Sequence, residues 1–356
     1  MRLRVIDFGT VPALRTQAVY HGLAETITAA SDPILSLVSP ADPYVCIGLH
    51  QDIDREVDRT YCAAHGLPII RRQVGGGTVY LDHGQLFTHF IYPQAKAPQF
   101  AVNLYPRFIE PVVRTYRDLG IPATYRPVND IQVNGRKIGG TGAASIGEAT
   151  VMVGSFMFDF DIATMSRCLR VPSEKFRDKL HQTLADYITT MTRELATPPS
   201  RDDVVARFLT HCAEVLGVTP EPDGTTPAEE AAIAAAEARL ADPDWSEVQS
   251  RKLVALGVKI AADTHLTEAA HKAPGGLIRV NLLEREGRVA DLVLSGDFTC
   301  LPPDGIDRLA AGLTGVTLDR APLETAIGAF LGAAAVETPG ITPADFATAI
   351  LAAKAD

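Results

Sequence analysis

The sequence is short of the features that most readily announce a function. Five cysteines, Cys46, Cys62, Cys168, Cys212 and Cys300, are scattered over 356 residues, and no two form a C-x-x-C pair. That excludes the usual zinc and dithiol redox patterns and leaves buried, reduced thiols as the plain expectation. Basic residues are in deficit, with 33 Lys plus Arg against 43 Asp plus Glu and a formal charge of −10. No nucleic-acid partner is expected, because phosphate backbones demand clustered cations; a local basic pocket is still allowed. A long apolar run is missing too: "IGAFLGAAAV" falls well short of the roughly 20 residues that span a bilayer. The opening "MRLRVIDFGTVP" carries Asp7 and no apolar core of signal-peptide length. A cytoplasmic protein without membrane association is expected.

What is present is enough apolar material, 46% of residues, for one sizeable core and a second smaller one. "RLRVIDFG", "PILSLVS", "YVCIGL", "LPIIRRQV", "GTVYLD", "LFTHFIYP" and "VMVGSFMFDFD" read as strands. "VPALRTQAVYHGLAETI", "DREVDRTYCAAHG" and "LYPRFIEPVVRTYRDLG" read as helices, the last with a start blurred by Pro106 and Pro111. Residues 162 to 217 turn helical, with a Ser200 cap and a Gly217 stop on "SRDDVVARFLTHCAEVLG". "TPAEEAAIAAAEARLADPDW" is an Ala/Glu-rich helix that reads as a spacer at about residues 226 to 245. Two strands around "REGR" and three helices follow. The mixture without strict βαβ alternation is α+β, with a large domain over residues 1–245 and a small α+β domain over 246–356.

Two glycine-rich stretches stand out. In "RPVNDIQVNGRKIGGTG" the Asn-Gly pair predicts a two-residue hairpin turn, since both central residues of such a turn need positive φ. Pairing outward from Asn134 and Gly135 sets Val133 against Arg136, Gln132 against Lys137, Ile131 against Ile138 and Asp130 against Gly139. Ile131, Val133 and Ile138 then share one face, and Asp130, Gln132 and Lys137 the other. An ordinary salt bridge on an exposed sheet face explains Asp130 and Lys137 equally well. In "IIRRQVGGGTVYLD" three glycines separate two strand-like runs, a poor strand interior that can offer successive N–H groups to an anion. A flexible turn flanked by surface arginines fits it as well. Neither stretch is a dinucleotide fingerprint or a Walker A loop: G-x-G-x-x-G is lacking, and Lys137 precedes its glycines.

Together the two stretches resemble the lipoate–protein ligase A family, within the biotin/lipoate ligase fold. "RRQVGGGTVYLD" is similar to the signature R-R-x-x-G-G-G-x-V-[FY]-x-D, and "NDIQVNGRKIGG" to N-D-[IL]-x-[VI]-x-[GN]-[RK]-K-[IV]-x-G, in the family's order and separation. The resemblance covers most of residues 1 to 245; the tail is similar to the small accessory domain that some ligases carry. It implies a mixed sheet with flanking helices and a reaction in two steps. Lipoate and ATP give lipoyl-AMP and pyrophosphate, and the lipoyl group passes to a lysine of a lipoyl carrier protein. That carrier is a lipoyl domain of a 2-oxo acid dehydrogenase, the glycine-cleavage H protein or a relative.

By the same resemblance Lys137 is the catalytic cation. Arg72, Gly75, Gly76, Gly77, Thr78, Val79, Tyr80, Asn129, Asp130, Gly139 and Thr141 are the residues that bind lipoate and its adenylate, and Asp130 is the candidate ligand for Mg²⁺, a hard oxygen donor suited to it. Val79, Tyr80 and Leu81 are candidates for an apolar acyl tunnel, although as strand residues they are core by default.

Departures from the family pattern stand at Val74, Leu81 and Gln85, where Ser or Thr, His, and Asn are usual, and at "VGS", residues 153 to 155, which replaces H-G-[ST]. His83 is the one ring that could stand in for the absent histidine. Three rivals share parts of the pattern. An octanoyltransferase of the same fold needs an activated cysteine, which in that group lies a short way upstream of the lysine hairpin; residues 120 to 136 contain none, and Cys168 in "SRCLRVP" reads as a helix residue. A biotin ligase has another arginine pattern at its glycines. A silent carrier-binding protein would have little use for an intact Lys137 and Asp130.

Overall fold

Side chains that alternate over its first residues make Arg2–Val11 a strand, β1, and the helical spacing that follows Pro12 makes Ala13–Glu25 a helix, α1. The computed structural model describes residues 1–248 and 264–354. After α1 come β2 (Ile34–Pro40), β3 (Tyr44–Ile47), α2 (Ile53–Glu56), α3 (Arg59–Ala64), β4 (Ile69–Arg71), β5 (Val79–Leu81), β6 (Gln85–Pro93) and α4 (Ala101–Asp118). The middle of the chain supplies β7 (Ala123–Arg126), β8 (Asp130–Val133), β9 (Arg136–Ile146), β10 (Ala149–Met157), α5 (Ile162–Cys168), α6 (Glu174–Tyr187), α7 (Met191–Glu194), α8 (Arg201–Leu216), β11 (Thr219–Pro222), α9 (Pro227–Ala241) and α10 (Pro243–Ser246). The C-terminal stretch supplies β12 (Thr264–Ala273), β13 (Gly276–Arg285), β14 (Arg288–Gly296), α11 (Gly305–Gly312), α12 (Arg320–Ala333) and α13 (Pro343–Ala352). The α+β class expected from the sequence is what is found.

The chain folds as two units. The first comprises Met1–Cys46, Val57–Ile70 and Val79–Asp242; the second comprises Ile47–Glu56, Arg71–Thr78 and Pro243–Asp356. The first is built on an eight-stranded mixed sheet in the order β11-β1-β2-β6-β10-β9-β8-β7, parallel at β11-β1-β2 and antiparallel from β2 onward. The central strands β2 and β6 are buried along their whole length, which is why neither carries an Asp, Glu, Lys or Arg. A small sheet, β4-β3-β5, packs its side chains into a cluster of Ala13, Val38, Tyr44, Cys46, Ile70 and Phe87. In the second unit β12, β13 and β14 form an antiparallel sheet whose core is closed by Leu309, Leu323, Ile327, Phe346 and Ile350 from α11, α12 and α13.

Four local expectations need amendment. Residues 54–66 do not form one helix: Asp58 takes a non-helical conformation and accepts the Tyr61 amide as the cap of α3, while Val57 bridges to Leu169. α4 begins earlier than the prolines suggested, at Ala101. The Ala/Glu-rich helix α9 is not a solvent-spanning spacer. It starts at the Thr226 capping box with Pro227 in its first turn, as the Thr-Pro signal implied, and buries Ile233, Ala236 and Leu240 against α1. The approach depends on Gly22, since a Cβ there would lie 2.4 Å from the Ile233 nitrogen. Finally, the third C-terminal strand, β12, has no counterpart among the elements read from the sequence.

Two fully enclosed histidines lie in the first unit, His21 on α1 and His89 on β6. His21 contacts the Gln17 carbonyl through Nδ1 at 2.6 Å, and His89 contacts the Ser36 hydroxyl at 2.9 Å. Burial pushes both imidazoles from 6.5 down to about 3, so both are neutral in the folded protein. The unfolded chain binds these two protons below about pH 6.5, whereas the folded chain resists them until about pH 3. Stability is therefore complete above that window and falls as pH drops through it. Between pH 7.5 and 5, above the ordinary carboxylate range, the loss is expected to be about 2 kcal/mol per histidine. Urea unfolding at the two pH values measures it, and equal stabilities would contradict it.

Candidate active site

The Asn-Gly turn forms as its chemistry requires, with Asn134 at φ 50° and Gly135 at φ 82°. Val133 pairs with Arg136 and Gln132 with Lys137 as expected, but the ladder then slips: Ile131 faces Gly139 and Asp130 faces Gly140. Ile138 is the extra residue of a bulge, and its carbonyl accepts a hydrogen bond from the buried Tyr116 hydroxyl of α4 at 3.1 Å. Tyr116 also receives the Met157 amide at 3.1 Å, so one phenol ties the bulge to the end of β10. The apolar face holds: Ile131, Val133 and Ile138 are buried, and Asp130, Gln132 and Lys137 are partly exposed.

On that exposed face the Lys137 ammonium lies 2.7 Å from Asp130 Oδ1. The second oxygen, Oδ2, accepts from the Tyr187 hydroxyl at 3.1 Å, and Tyr187 Oη in turn accepts from Arg126 and from Gln132, each at 3.3 Å. The Lys137 carbonyl accepts the Thr189 amide at 2.9 Å, and Ile188 forms a parallel bridge with it. Gly140 leaves room for the folded-back lysine: a Cβ on it would stand 3.0 Å from both Lys137 Cε and Nζ. Asn129 and Thr141 clasp one another, with Asn129 Nδ2 donating to the Thr141 carbonyl at 2.8 Å and the Thr141 amide and hydroxyl donating back to the Asn129 carbonyl at 2.9 and 3.0 Å. Gly139 sits 3.3 Å, measured from a built Cβ, from the Ser155 carbonyl.

The glycine run belongs to the second unit. The Arg72 guanidinium donates to the Gly75 and Gly77 carbonyls at 2.9 and 2.8 Å, and the Gly76 amide donates to the Phe298 carbonyl at 3.2 Å. Gly75 lies so close to residues 298 and 299 that a Cβ would meet the Phe298 oxygen at 2.4 Å. Thr78 donates to Gln51 Oε1 at 3.1 Å. Arg71, for which no role was expected beyond its place beside Arg72, is fully enclosed. It donates to the carbonyls of Gly48, Leu49, Gln51 and Ser246.

In the first unit Val79, Tyr80 and Leu81 pair with β3, and Tyr80 is buried edge-on to Phe160. Burial raises the Tyr80 phenol above its ordinary range, so it stays a neutral hydroxyl. Of the departures, Val74 is fully buried, Leu81 packs on the small-sheet core, and Gln85 is buried with its amide directed at the Tyr80 carbonyl. His83 is exposed. All five cysteines are outside disulfides and buried. Donating a hydrogen bond to Cys62, and then burial, push the Cys168 thiol up; burial raises Cys212, and raises Cys300 to about 12. Cys62 is lowered, as the acceptor of the bond from Cys168.

Residues 12–213 match the family model described as the lipoyl protein ligase A/B catalytic domain, which is more than half of the chain. The chain belongs to this family. Within it, the sequence is 26% identical over 258 residues to lipoate-protein ligase LplJ of Bacillus subtilis, covering 72% of this chain and 73% of that one. It is 25% identical over 239 residues to octanoyltransferase LipM of Kyrpidia tusciae, covering 60% and 86%. Among solved structures, the bi-partite lipoate protein ligase of Thermoplasma acidophilum, described with its E2 lipoyl domain, superposes with a TM-score of 0.65 at 25% identity over 70% of this chain and 97% of that one. The lipoyl ligase/transferase family thus accounts for the mixed sheet, and its members include both ligases and transferases. No helix among the described residues is long and apolar enough to cross a membrane.

Proposed function

We propose that the chain is an ATP-dependent lipoate–protein ligase. The observation that carries this reading is the Lys137 ammonium, one-third exposed on a hairpin backed by core residues and held 2.7 Å from Asp130. In the first step a lipoate carboxylate oxygen attacks the α-phosphorus of ATP, an O–P bond forms, the bridge to the β-phosphate breaks, and pyrophosphate leaves. Two anions must meet, so a preorganised cation at the point of attack lowers the barrier. Lys137 is that cation: it leaves Asp130 for the carboxylate and α-phosphate, and it stays with the adenylate. In the second step the amine of a carrier lysine attacks the acyl carbonyl, AMP departs, and the amine's proton is lost. Arg72, Gly75, Gly76, Gly77, Thr78, Val79, Tyr80, Asn129, Gly139 and Thr141 are proposed as the lipoate- and adenylate-binding residues, on the strength of their motifs.

Among the described residues no three His, Cys, Asp or Glu side chains converge as a metal cage, and both Asp130 oxygens are already bonded. The residues present do not build a resident Mg²⁺ site by themselves; Asp130, whose Oδ1 is released when Lys137 turns to the reacting anions, is proposed as a ligand to Mg²⁺ that enters with the nucleotide's phosphates, the usual way that cation is held. Lipoyl domains are the proposed carriers, in keeping with the Thermoplasma ligase, and the cytoplasm is the proposed location.

The match to an octanoyltransferase supports a second reading, thioester chemistry on a cysteine. That chemistry needs an accessible thiolate, and here the thiols are buried and three of the five are raised. Lipoate-dependent exchange of labelled pyrophosphate into ATP decides between them: the ligase exchanges, while a transferase moves octanoate from a carrier thioester and does not. Gly140→Ala, whose methyl crowds Lys137 Nζ, is expected to slow exchange by about tenfold with an unchanged urea midpoint, because small displacements of a reacting group are costly. A full exchange rate in that variant would show that the lysine's resting place is immaterial.

A further inference from the structure

We infer that Tyr187 is a positioning residue for the adenylation step, an assignment that rests on the ligase reading. Nothing in either motif points to it. It closes α6, and of the two residues after it Ile188 lies in a parallel bridge with Lys137 and Thr189 donates its amide to the Lys137 carbonyl. Its side chain and its backbone neighbours thus reach the same hairpin from one short segment.

The phenol oxygen makes three hydrogen bonds, which is its full capacity: it donates to Asp130 Oδ2 at 3.1 Å and accepts from Arg126 and Gln132 at 3.3 Å. Asp130 therefore has one oxygen for the lysine and one for the tyrosine. This division matters when Lys137 turns to the reacting anions. A partly buried carboxylate that lost its only partner would pull the ammonium back or swing after it. With Tyr187 in place, the carboxylate stays hydrogen-bonded and fixed while the lysine leaves, and the lysine has a defined place to return to after each turnover. Arg126 and Gln132 orient the hydroxyl so that its proton is aimed at Asp130 and at no other acceptor. Tyr187 touches no reacting atom in this scheme; it acts through Asp130.

The test is a double-mutant cycle in pyrophosphate exchange. Tyr187→Phe keeps the ring and removes the hydroxyl, and is expected to lower kcat about fivefold while leaving KM for ATP and for lipoate within about twofold. In an Asp130→Asn background the same substitution is expected to change kcat by less than about twofold, because its route of action is already gone. An equal drop in both backgrounds, or no drop in either, overturns the assignment. A second measurement needs no turnover: trace labelling of the folded protein with acetic anhydride, read by peptide mass spectrometry. Lys137 should be acetylated about threefold faster in Tyr187→Phe than in the parent, and unchanged labelling also counts against the assignment. Should the parent show no exchange, the ligase reading fails while the labelling result still decides the role of the tyrosine.

Discussion

Lys137→Ala is expected to abolish most lipoate-dependent pyrophosphate exchange, by about 10²–10³-fold, with little effect on folding. The size follows from what a preorganised charge contributes where two anions meet; removal of a single such stabiliser costs that range in other enzymes. The near-absence of a folding effect follows from the geometry. Lys137 and Asp130 are 33% and 20% exposed, so their ion pair contributes at most about 1 kcal/mol, and the hairpin is held by Ile131, Val133 and Ile138 below it. Lys137→Arg restores the charge on a longer, planar group that cannot occupy the narrow space above Gly140, and should recover only a small part of the rate. Exchange at the parental rate in Lys137→Ala would remove the lysine from the mechanism, and with it the reason for reading the hairpin as an active site.

The hairpin was legible because its determinants are local. Asn-Gly demands one turn type, alternation then assigns the faces, and both came out as read. The bulge was not legible, since what stabilises it is Tyr116, more than twenty residues upstream, accepting the burden of the displaced Ile138 carbonyl. Tyr187 escaped for a similar reason: a tyrosine at the end of a polar helix carries no motif, and only the fold carries it to Asp130.

The glycine run shows another limit. Three glycines beside two arginines read equally as an anion nest or a loose turn, and the structure supplies a packing reason for them that neither reading contained. Gly75 accommodates the Phe298 carbonyl, and Arg72 is bonded to the run's own carbonyls. The α9 helix misled through its composition, because alanine is at home on either face and leaves little contrast to mark the buried one. In β12, "THLTEAAHKA", the alternation is diluted by alanines and histidines, and the strand signal is correspondingly weak.

Arg71→Met is expected to produce the largest loss of stability, about 3–5 kcal/mol in the second unit. The guanidinium is fully enclosed and serves as a hub: Nη1 donates to Gly48, Leu49 and Gln51 at 3.0, 2.9 and 2.6 Å, and Nε and Nη2 donate to Ser246 at 3.1 and 2.8 Å. Methionine approximates the volume of the stem but offers no donor, so four carbonyls lose the donor Arg71 gave them, at about 1–3 kcal/mol for each one that water or a rearranged chain does not satisfy. Trp245, whose indole donates to the Arg71 carbonyl at 2.8 Å, is a built-in reporter, being the single tryptophan of the chain. Its fluorescence during urea unfolding should shift to a lower midpoint in Arg71→Met, with Arg71→Lys falling between because an ammonium carries three donors and cannot fork. The same residue links stability to the proposed activity, since Arg71 is followed directly by the arginine that holds Gly75 and Gly77. A change below about 1 kcal/mol would mean that the carbonyls are readily satisfied without the guanidinium, and that the shape of the glycine run owes nothing to it.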